Sequence, residues 1–495
     1  MCAAVTTASA FELSDTTLSL SAEATTVAST GDFAPYMIGS WNHGKTPSKT
    51  SALLEVKALK PLNLKNRFSW AAGADVITGY SSDNVYSRYD AASKSWIGNP
   101  QGPAAIWLQQ LYGEIKYRGV FLSVGLKEHT SALLNSRLSS GDFVESGNSR
   151  PIPEVRAGFV DFQDIPLTRG WVQIQGELSY GVMPDDDYMT HHFNYYSYHL
   201  NTDALYTYKR CYFRTKPSQP LSVTVGMQVG GFFGGKSTSY RNGEVVGRHE
   251  YSKSLKSFFK MLLPTEGAAG DYYEGSSLGS WDFKARYRFQ SGTELNAYFQ
   301  WPFEDGSGIG KLNGFDGVWG LELRLSASKW LKAVLAEYVD FTNQSGPTHW
   351  APGDRPGTTI TSNATGFDNY YNNAMYNSYA NYGMSIGTPF LLSPLYNLDG
   401  YAAFACTRTR GFHIGAEGSV STVVDWRMLV SYQHGLGGYD VPYYPARDNT
   451  SVMAEINYDA LRLLPGLKVC GKMAFDAGKL RGNNFGVLIG VGYNF

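Results

Sequence analysis

Long apolar runs are absent from this chain of 495 residues. No window offers the roughly 20 consecutive apolar residues that a membrane-spanning helix needs. The uncharged stretch at residues 217–235 is interrupted by Ser, Thr, Gln and Gly. Mean hydropathy is −0.26, which is too polar for a bundle of such helices. These features argue against a helical membrane protein.

Charged residues and cysteines are also scarce. Only 17% of the residues are charged, against roughly 25% in soluble proteins, and the formal net charge of −1 gives no electrostatic case for nucleic acid. The cysteines form no CxxC pair and no Cys/His spacing suited to zinc: Cys2, Cys211, Cys406 and Cys470. We therefore expect no structural metal, no cofactor and no essential disulfide.

What the chain does contain is strict alternation of apolar and polar residues. At the C-terminus, residues 485–495 place aromatic and branched side chains on one face of a strand, and Gly, Leu and Asn on the other. A soluble domain rarely ends on its most hydrophobic strand, because termini fray and apolar edges aggregate. In an outer-membrane barrel the last strand closes against the first and its apolar face meets lipid. This ending favours a barrel.

The same alternation marks about eighteen strand candidates along the chain. In one of them, apolar residues oppose charged or amide residues: Trp281, Phe283, Ala285, Tyr287 and Phe289 against Asp282, Lys284, Arg286, Arg288 and Gln290. The candidates are residues 33–41, 51–60, 62–80, 110–117, 120–127, 154–163, 171–182, 205–214, 221–229, 280–289, 294–301, 319–326, 331–341, 411–417, 426–433, 452–459, 467–476 and 485–495.

Short turns alternate with long loops between these candidates. The long loops are residues 81–109, 128–153, 183–204, 230–279, 302–317, 342–410 and 434–450. Because barrels place short turns in the periplasm and long loops outside, both termini should be periplasmic. We predict an all-β fold, a transmembrane antiparallel β-barrel of about eighteen strands with long extracellular loops. A β-propeller or stacked β-sandwiches would not keep one face apolar in strand after strand.

The chain shows no Pro/Ser-rich linker, so one large unit is expected. Residues 1–10 end in Ala-Ser-Ala, which fits a signal-peptidase site, although the basic region and most of the apolar region of a signal peptide are missing. Either the start is assigned too late or the leader is trimmed. We assign residues 1–10 to a residual signal peptide, 11–32 to a periplasmic segment and 33–495 to the barrel.

Charged residues on the predicted lumen faces could steer a solute, or could form a neutralising network that fills the interior. The set is Glu177, Asp282, Lys284, Arg286, Arg288, Glu322 and Arg324. Since buried charges need partners, we expect Glu177 and Glu322 to neutralise the charges of the 280–289 strand and help to close the bore.

No complete enzymatic motif is found. The pattern G-x-S-x-G occurs at residues 275–279, but it leads directly into a strand candidate and lacks the strand-turn-helix context of a nucleophile elbow, so no catalytic residues are expected. His191, His192 and His199 fall in one loop with the acidic residues 185–187, which suits either a metal or calcium site or a solvated loop tip.

The predicted outer loops are rich in tyrosine and asparagine, above all residues 369–382. Tyrosine offers sugar rings an apolar face and asparagine offers donors and acceptors, while packing of loops over the barrel mouth would use the same residues. A loop as long as 342–410 is uncommon unless it is functional or disordered. We predict that it forms local helices or hairpins over the mouth and carries most of the glycan contact, through Trp350, Tyr370, Tyr371 and Tyr376.

The segment 140–171 resembles the Wzi-type capsule-assembly family of outer-membrane proteins. The likeness lies in Ser146-Gly147-Asn148-Ser149-Arg150-Pro151-Ile152-Pro153, then Ile165-Pro166-Leu167-Thr168 and Gly170-Trp171. Further segments are similar in the same order: Ala34-Pro35-Tyr36, Gly279-Ser280-Trp281-Asp282, Asn369-Tyr370-Tyr371-Asn372-Asn373 and Gly387-Thr388-Pro389. The resemblance implies a barrel that acts as a lectin and holds exported capsular polysaccharide at the surface of a Gram-negative cell, without turnover.

Two features depart from that family. The helical segment that some members carry before the barrel has no room here, and residues 205–213 lack the expected histidines. Physically, Asn148 and Arg150 suit glycan binding, because an amide and a guanidinium bind hydroxyls and uronic-acid carboxylates. Alternatively, Arg150 pins its own loop, which Pro151 and Pro153 stiffen.

Two functions follow from this reasoning. The first is a surface protein that binds and retains polysaccharide, and the second is a porin-like diffusion channel for small saccharides. The expected partners are capsular or surface polysaccharide and outer-membrane lipid, with no nucleic acid, and the barrel is expected to be a monomer.

Overall fold

The structure is a computed structural model. It describes residues 18–262, 275–304, 308, 311–326, 328–347, 349–350, 364–373, 375–461 and 464–495. The predicted signal peptide, residues 1–10, lies outside the described residues. Among the described residues, no helix is both long enough and apolar enough to cross a membrane.

The main sheet is a closed antiparallel barrel of eighteen strands. The strands β1 to β18 are Ser19–Phe33, Ser48–Lys60, Phe68–Ser81, Ile106–Tyr117, Val120–Leu126, Pro153–Phe159, Val172–Val182, Leu205–Thr215, Leu221–Phe233, Ser276–Arg288, Glu294–Phe303, Gly317–Arg324, Ala333–Asp340, Thr409–Ser421, Val424–Gly437, Pro442–Asp459, Leu467–Gly478 and Asn484–Asn494. The sixth strand, β6, is continued by a short segment, Gln163–Asp164, that also pairs with β7. The predicted fold class and strand number are therefore confirmed.

Closure of the barrel occurs at β1. Thr25 of this strand lies opposite Leu53 of β2 on one side and opposite Gly490 of β18 on the other. Both neighbours run antiparallel to β1, so the ring of strands has no free edge. Closure satisfies the backbone hydrogen bonds that an exposed edge in lipid would leave unpaired.

Side chains alternate between the two faces of the wall as predicted. On β10, Phe283 and Tyr287 point outward and are 42% and 44% exposed, whereas Asp282 points inward and is 1% exposed. On β12, Leu321 is exposed on the outside and Glu322 is buried inside. The result is an apolar outer surface around a polar interior, as a membrane-embedded barrel requires.

The first predicted strand, residues 33–41, is wrong. The first strand is Ser19–Phe33, so the predicted periplasmic segment belongs to the barrel from residue 19 onward. Its pairing places the small residues Ala22, Ala24 and Ala28 on one face of β1, which hides the alternation. The apolar run that follows forms a helix inside the barrel instead of a strand.

Connections at the two ends of the barrel differ in length, as predicted. Short turns join the strands at one end, for example at residues 118–119 between β4 and β5, and both described chain ends lie there. Long connections occupy the other end, which we call the long-loop end. One predicted long loop, 434–450, is wrong: β15 and β16 extend into it and leave only residues 438–441.

The long connections contain their own structure. In the described part of these connections, three short helices with defined bounds, α1 to α3, are Tyr36–Gly39, Asp186–His192 and Leu255–Leu262. Small sheets are formed by Asn84–Asp90 with Ser95–Gln101, by Tyr198–Thr202 with Gly235–Arg241 and Glu244–Tyr251, by His349–Trp350 with Ala364–Thr365, and by Ala380–Asn381 with Met384–Ser385. The last two pairs and the 3-10 turn Pro394–Tyr396 supply the local structure predicted for the 342–410 loop.

Candidate functional site

Residues 127–152, which we call the plug, fold from the long-loop end into the barrel lumen. Leu138, Phe143 and Val144 at their centre are 0% exposed. Backbone groups of the plug bond to lumen-facing side chains of the wall, because Ser140 N donates to Glu337 at 2.6 Å and Phe143 N donates to Gln300 at 3.1 Å. The wall thus replaces the hydrogen bonds that the plug gives up to water.

A second segment, residues 364–373 and 375–408, covers the plug and is called the cap here. The Tyr371 hydroxyl donates to Phe143 O at 2.5 Å, and Thr388 Oγ1 donates to Ser140 O at 2.7 Å. Plug and cap therefore form one packed body. They close the lumen over the depth that they occupy.

The predicted stacking tyrosines belong to this packed body. Tyr370, Tyr371 and Tyr376 are 0%, 1% and 2% exposed. The rings of Tyr370 and Tyr371 pack against Phe143 of the plug, at 5.5 Å and 5.2 Å between centroids, and the ring of Tyr376 packs against Phe232 and Tyr251. The structure therefore corrects the proposal that these three stack on sugars, because no ring face is free. The side chain of Trp350, the fourth predicted residue, lies outside the described residues.

Asn148 is also structural. Its side chain is buried, its Nδ2 donates to Ser385 Oγ at 2.9 Å, and its Oδ1 accepts from Trp41 N at 3.2 Å. These bonds tie the plug to the cap and to the residues after α1. With both ends of the amide used inside the protein, the predicted glycan contact of Asn148 is wrong in this arrangement.

Arg150 differs from these residues, because its charged end faces a cavity. The guanidinium Cζ lies 4.5 Å from the Trp107 ring centroid and 4.7 Å from that of Tyr382. Within the described part of the chain, no carboxylate lies within 4.0 Å of it and no hydrogen bond of its side chain is formed. Burial without a counter-ion lowers the pKa of Arg150 to about 10, so the group stays charged at neutral pH.

Three separate elements hold this arrangement. Trp107 lies on β4 and donates its indole N–H to Gln109 at 2.9 Å. Tyr382 occupies the turn between the two short strands of the cap, where its hydroxyl donates to Pro184 O at 2.9 Å. Asn381 Nδ2 donates to Arg150 O at 2.9 Å, which fixes the backbone of the arginine. Both rings and the arginine backbone are thus held before any ligand arrives.

The cavity in front of Arg150 has a volume of about 280 Å³. Its wall includes Tyr188 and His192, whose rings stack at 3.8 Å, and the amide side chains of Asn84 and Gln101. The exposed Asp187 also lines it, but its carboxylate forms no ion pair with Arg150 among the described residues. Burial lowers the pKa of His192 to about 4, so this imidazole is neutral at physiological pH. The aromatic rings can contact sugar rings, the amides and the Asp187 carboxylate can bind hydroxyls, and the unpaired Arg150 cation can bind an acidic group.

A second, larger cavity lies at the short-turn end of the barrel and has a volume of about 830 Å³. Charges of both signs line it, among them Glu55, Lys57 and Arg427, and Trp41 and Arg137 also contribute to its wall. It shares no lining residue with the Arg150 cavity. Plug and cap lie between the two.

The predicted lumen charges face the interior, but their partners differ from those predicted. On β10, Asp282 accepts from Tyr212 at 2.6 Å and Lys284 donates to Leu133 O of the plug at 2.7 Å. Arg286 and Arg288 both approach Glu294, at 3.9 Å and 2.7 Å.

The two acids expected to neutralise that strand pair elsewhere. Glu322 pairs with Arg324 at 2.9 Å, and Glu177 pairs with Arg156 at 3.0 Å and Arg210 at 3.2 Å. The correction has a simple cause: side chains on neighbouring strands or two residues apart are closer than those across the lumen.

Arg156 is the interior residue that sequence reasoning missed. Its side chain is 3% exposed and binds Glu145 of the plug at 2.6 Å, Glu154 at 2.7 Å and Glu177 at 3.0 Å. It thereby connects the plug to β6 and β7. A signal was present, since residues 154 and 156 alternate onto the lumen face of a predicted strand.

The histidine-rich loop is only partly solvated, since His191 and Asp187 are exposed while its other histidines pack against the protein. His192 stacks on Tyr188, and His199 Nε2 lies 2.7 Å from Tyr376 O of the cap. Among the described residues, no group of three or more His, Cys, Asp or Glu side chains is arranged to hold a metal ion.

Comparison with known proteins identifies the fold. No protein-family model matches the sequence, and no curated protein matches it. Among solved structures, Escherichia coli Wzi, described as an outer-membrane protein involved in group 1 capsule assembly and a carbohydrate-binding β-barrel, matches with a TM-score of 0.58. That match has 12% identity and covers 96% of this chain and 84% of Wzi.

Two other structures are more distant. Acinetobacter baumannii OccAB2 has a TM-score of 0.48 at 9% identity over 97% of both chains. Pseudomonas aeruginosa OccK5 has a TM-score of 0.46 at 9% identity over 98% of both chains. The likeness to Wzi establishes an outer-membrane β-barrel fold for this chain.

Proposed function

We propose that this protein is a lectin-like outer-membrane barrel that binds exported polysaccharide, retains it at the cell surface during capsule assembly, and catalyses no reaction. One observation carries the proposal: plug and cap pack together inside the lumen, while the cavity at Arg150 stays open at the long-loop end. A lumen closed over part of its depth does not suit diffusion, whereas a preformed aromatic cavity suits saccharide binding.

Orientation follows from the loop lengths. Barrels place long loops outside and short turns in the periplasm, so the Arg150 cavity faces the exterior and both termini are periplasmic. The apolar wall contacts outer-membrane lipid, and the barrel acts as a monomer. In this orientation the cavity meets polymer that has already been exported.

Retention of polysaccharide in cells tests the role. A strain lacking the protein is expected to shed polymer that the wild type keeps on its surface. Tyr382→Ala removes one of the two rings beside Arg150 and should also cause shedding. Tyr444→Ala is the matched control, because this tyrosine is fully exposed near the start of β16 at the same end of the barrel. A deletion strain that retains polymer like the wild type would exclude the proposed function.

The diffusion channel is the alternative, and the large polar cavity at the short-turn end favours it. A solute that entered there would meet the plug. Planar-bilayer recordings separate the two functions, because a stable open pore of porin size would support the channel. We expect the wild-type protein to show no such pore.

A further inference from the structure

Arg150 differs from interior arginines that pair with carboxylates or that, like Arg481, donate to amide and backbone oxygens. Arg156 faces three carboxylates, and Arg427 pairs with Glu455. Near Arg150, by contrast, the described residues place no carboxylate within ion-pair distance. A half-buried cation without a counter-ion is costly, and two aromatic rings offset only part of that cost. A half-buried charge of this kind is suited to binding an anionic group.

The nitrogen atoms of Arg150 reach the cavity. Elsewhere in the described part of the chain, the Nε atoms of Arg210, Arg286 and Arg427 are enclosed and without a hydrogen-bond partner. No nitrogen of Arg150 is enclosed in this way, although its side chain forms no hydrogen bond within the protein. Its N–H groups are therefore open to a ligand that enters the cavity.

The guanidinium of Arg150 lies over the ring of Trp107 and over the ring of Tyr382. A guanidinium carries its N–H donors in one plane, in a fork that matches the two oxygens of a carboxylate. Tyr382 is itself held by hydrogen bonds of its backbone N–H and its hydroxyl. Ligand binding therefore costs little further conformational entropy at this side chain. Such preorganisation favours affinity.

The size of the cavity limits the ligand. Its volume of about 280 Å³ lies at the lower end of the roughly 300–1,000 Å³ of small-molecule pockets. This space suits a single sugar unit, with neighbouring units outside. The amides of Asn84 and Gln101 in the wall can serve the hydroxyls of that unit.

We infer that this cavity recognises the carboxylate of an acidic sugar, such as a uronic acid unit of the polymer, through the fork of Arg150. The inference rests on the proposed function and adds the chemical class of its ligand. A neutral polymer would leave the cation unpaired, so the site selects for acidic chains.

A matched pair of ligands tests the inference on the wild-type protein. Full-length protein in detergent is titrated with a hexasaccharide that contains glucuronic acid, and with the same hexasaccharide after its carboxyl groups are reduced to alcohols. We expect the acid form to bind about 10- to 100-fold more tightly, as charge-assisted hydrogen bonds provide. Equal affinity for the two forms would overturn the inference. Two monosaccharides, glucuronate and glucose 1-phosphate, are titrated as well, and tighter binding of the phosphate than of glucuronate would also overturn the inference.

Variants locate the effect. Arg150→Gln should abolish the preference for the acid form, and Arg150→Lys should keep only part of it, because a lysine lacks the fork. Arg447→Gln is the matched control, since Arg447 also lies over a tyrosine ring, at 3.9 Å from Tyr443, but outside the cavity. A preference that survives in Arg150→Gln contradicts the inference. The ligand pair needs no variant, so a poorly folding Arg150→Gln does not remove the test.

Failure of the inference and failure of the proposed function give different results. If the reduced hexasaccharide binds as well as the acid form and the deletion strain sheds polymer, the protein binds polysaccharide by another chemistry. If neither form binds and the deletion strain retains its polymer, both proposals are wrong.

Discussion

Phe143→Ala removes the side chain at the centre of the contact between plug and cap. Phe143 is 0% exposed, and its ring lies 5.4 Å from Phe341, 5.5 Å from Tyr370 and 5.2 Å from Tyr371 between centroids. The three rings belong to the wall end and the cap, so the truncation leaves a void between separate segments. These segments close over it only in part.

The expected cost is about 3–5 kcal/mol, the usual range for Phe→Ala in a core. It should fall on docking of the plug, because the hydrogen bonds between barrel strands do not involve this side chain. Since each 1.4 kcal/mol or so is tenfold, the population with an undocked plug should rise about 10²- to 10⁴-fold.

Planar-bilayer recording measures this population as the frequency of open events. Open events should be rare for the wild type, frequent for Phe143→Ala and intermediate for Phe143→Leu, which removes less volume. Phe283→Ala, on the outer face of the wall, is the control and should behave like the wild type. If folded Phe143→Ala protein conducts no more than the wild type, the ring does not hold the plug and the reasoning fails.

Three further predictions concern the loops and the interior. Burial raises the pKa of Asp185 to about 7. The stability contributed by its protonated form is therefore full below the unfolded pKa of roughly 4 and is lost as the pH rises through about 7. Hydrogen exchange of residues 183–204, corrected for intrinsic rates, should be slower at pH 5 than at pH 8, and Asp185→Asn should remove this difference. Arg156→Met leaves buried carboxylates without their cation, which costs about 3–5 kcal/mol, so the variant should unfold at a clearly lower temperature on heated gels. Arg137→Met is the control, because the side chain of Arg137 is 50% exposed and its ion pair contributes less than about 1 kcal/mol. Equal unfolding temperatures for the two variants would contradict this prediction. Tyr371→Phe loses the hydroxyl that bonds plug to cap, about 1–3 kcal/mol, so it should conduct less often than Phe143→Ala, and the opposite order would count against the assigned contacts.

Local sequence was sufficient to predict most strands of the barrel wall. Alternation on strands such as β10 and β18 follows from two solvents, lipid outside and a polar lumen inside, and a shift of one residue would turn every side chain over. Seventeen of the eighteen predicted strands overlap observed ones for this reason. The exception, β1, has small side chains facing outward, so its alternation carries little hydrophobic contrast.

The candidate site was predictable only in part. Arg150 stood out in the sequence because a cation lay among glycine, asparagine and proline in a long loop. Its aromatic neighbours, Trp107 and Tyr382, come from distant parts of the chain, and no local pattern joins them.

What the sequence by itself determined was the closed antiparallel barrel, the number of its strands and the end at which the long loops lie. Only the tertiary structure decided what fills the lumen. Tyr370 and Tyr371 could equally cover a sugar or a core, and they became core because Phe143, 228 residues away along the chain from Tyr371, folds beneath them. Burial depends on such distant contacts, whereas alternation depends on neighbours along the chain, so the wall could be read from the sequence and its contents could not.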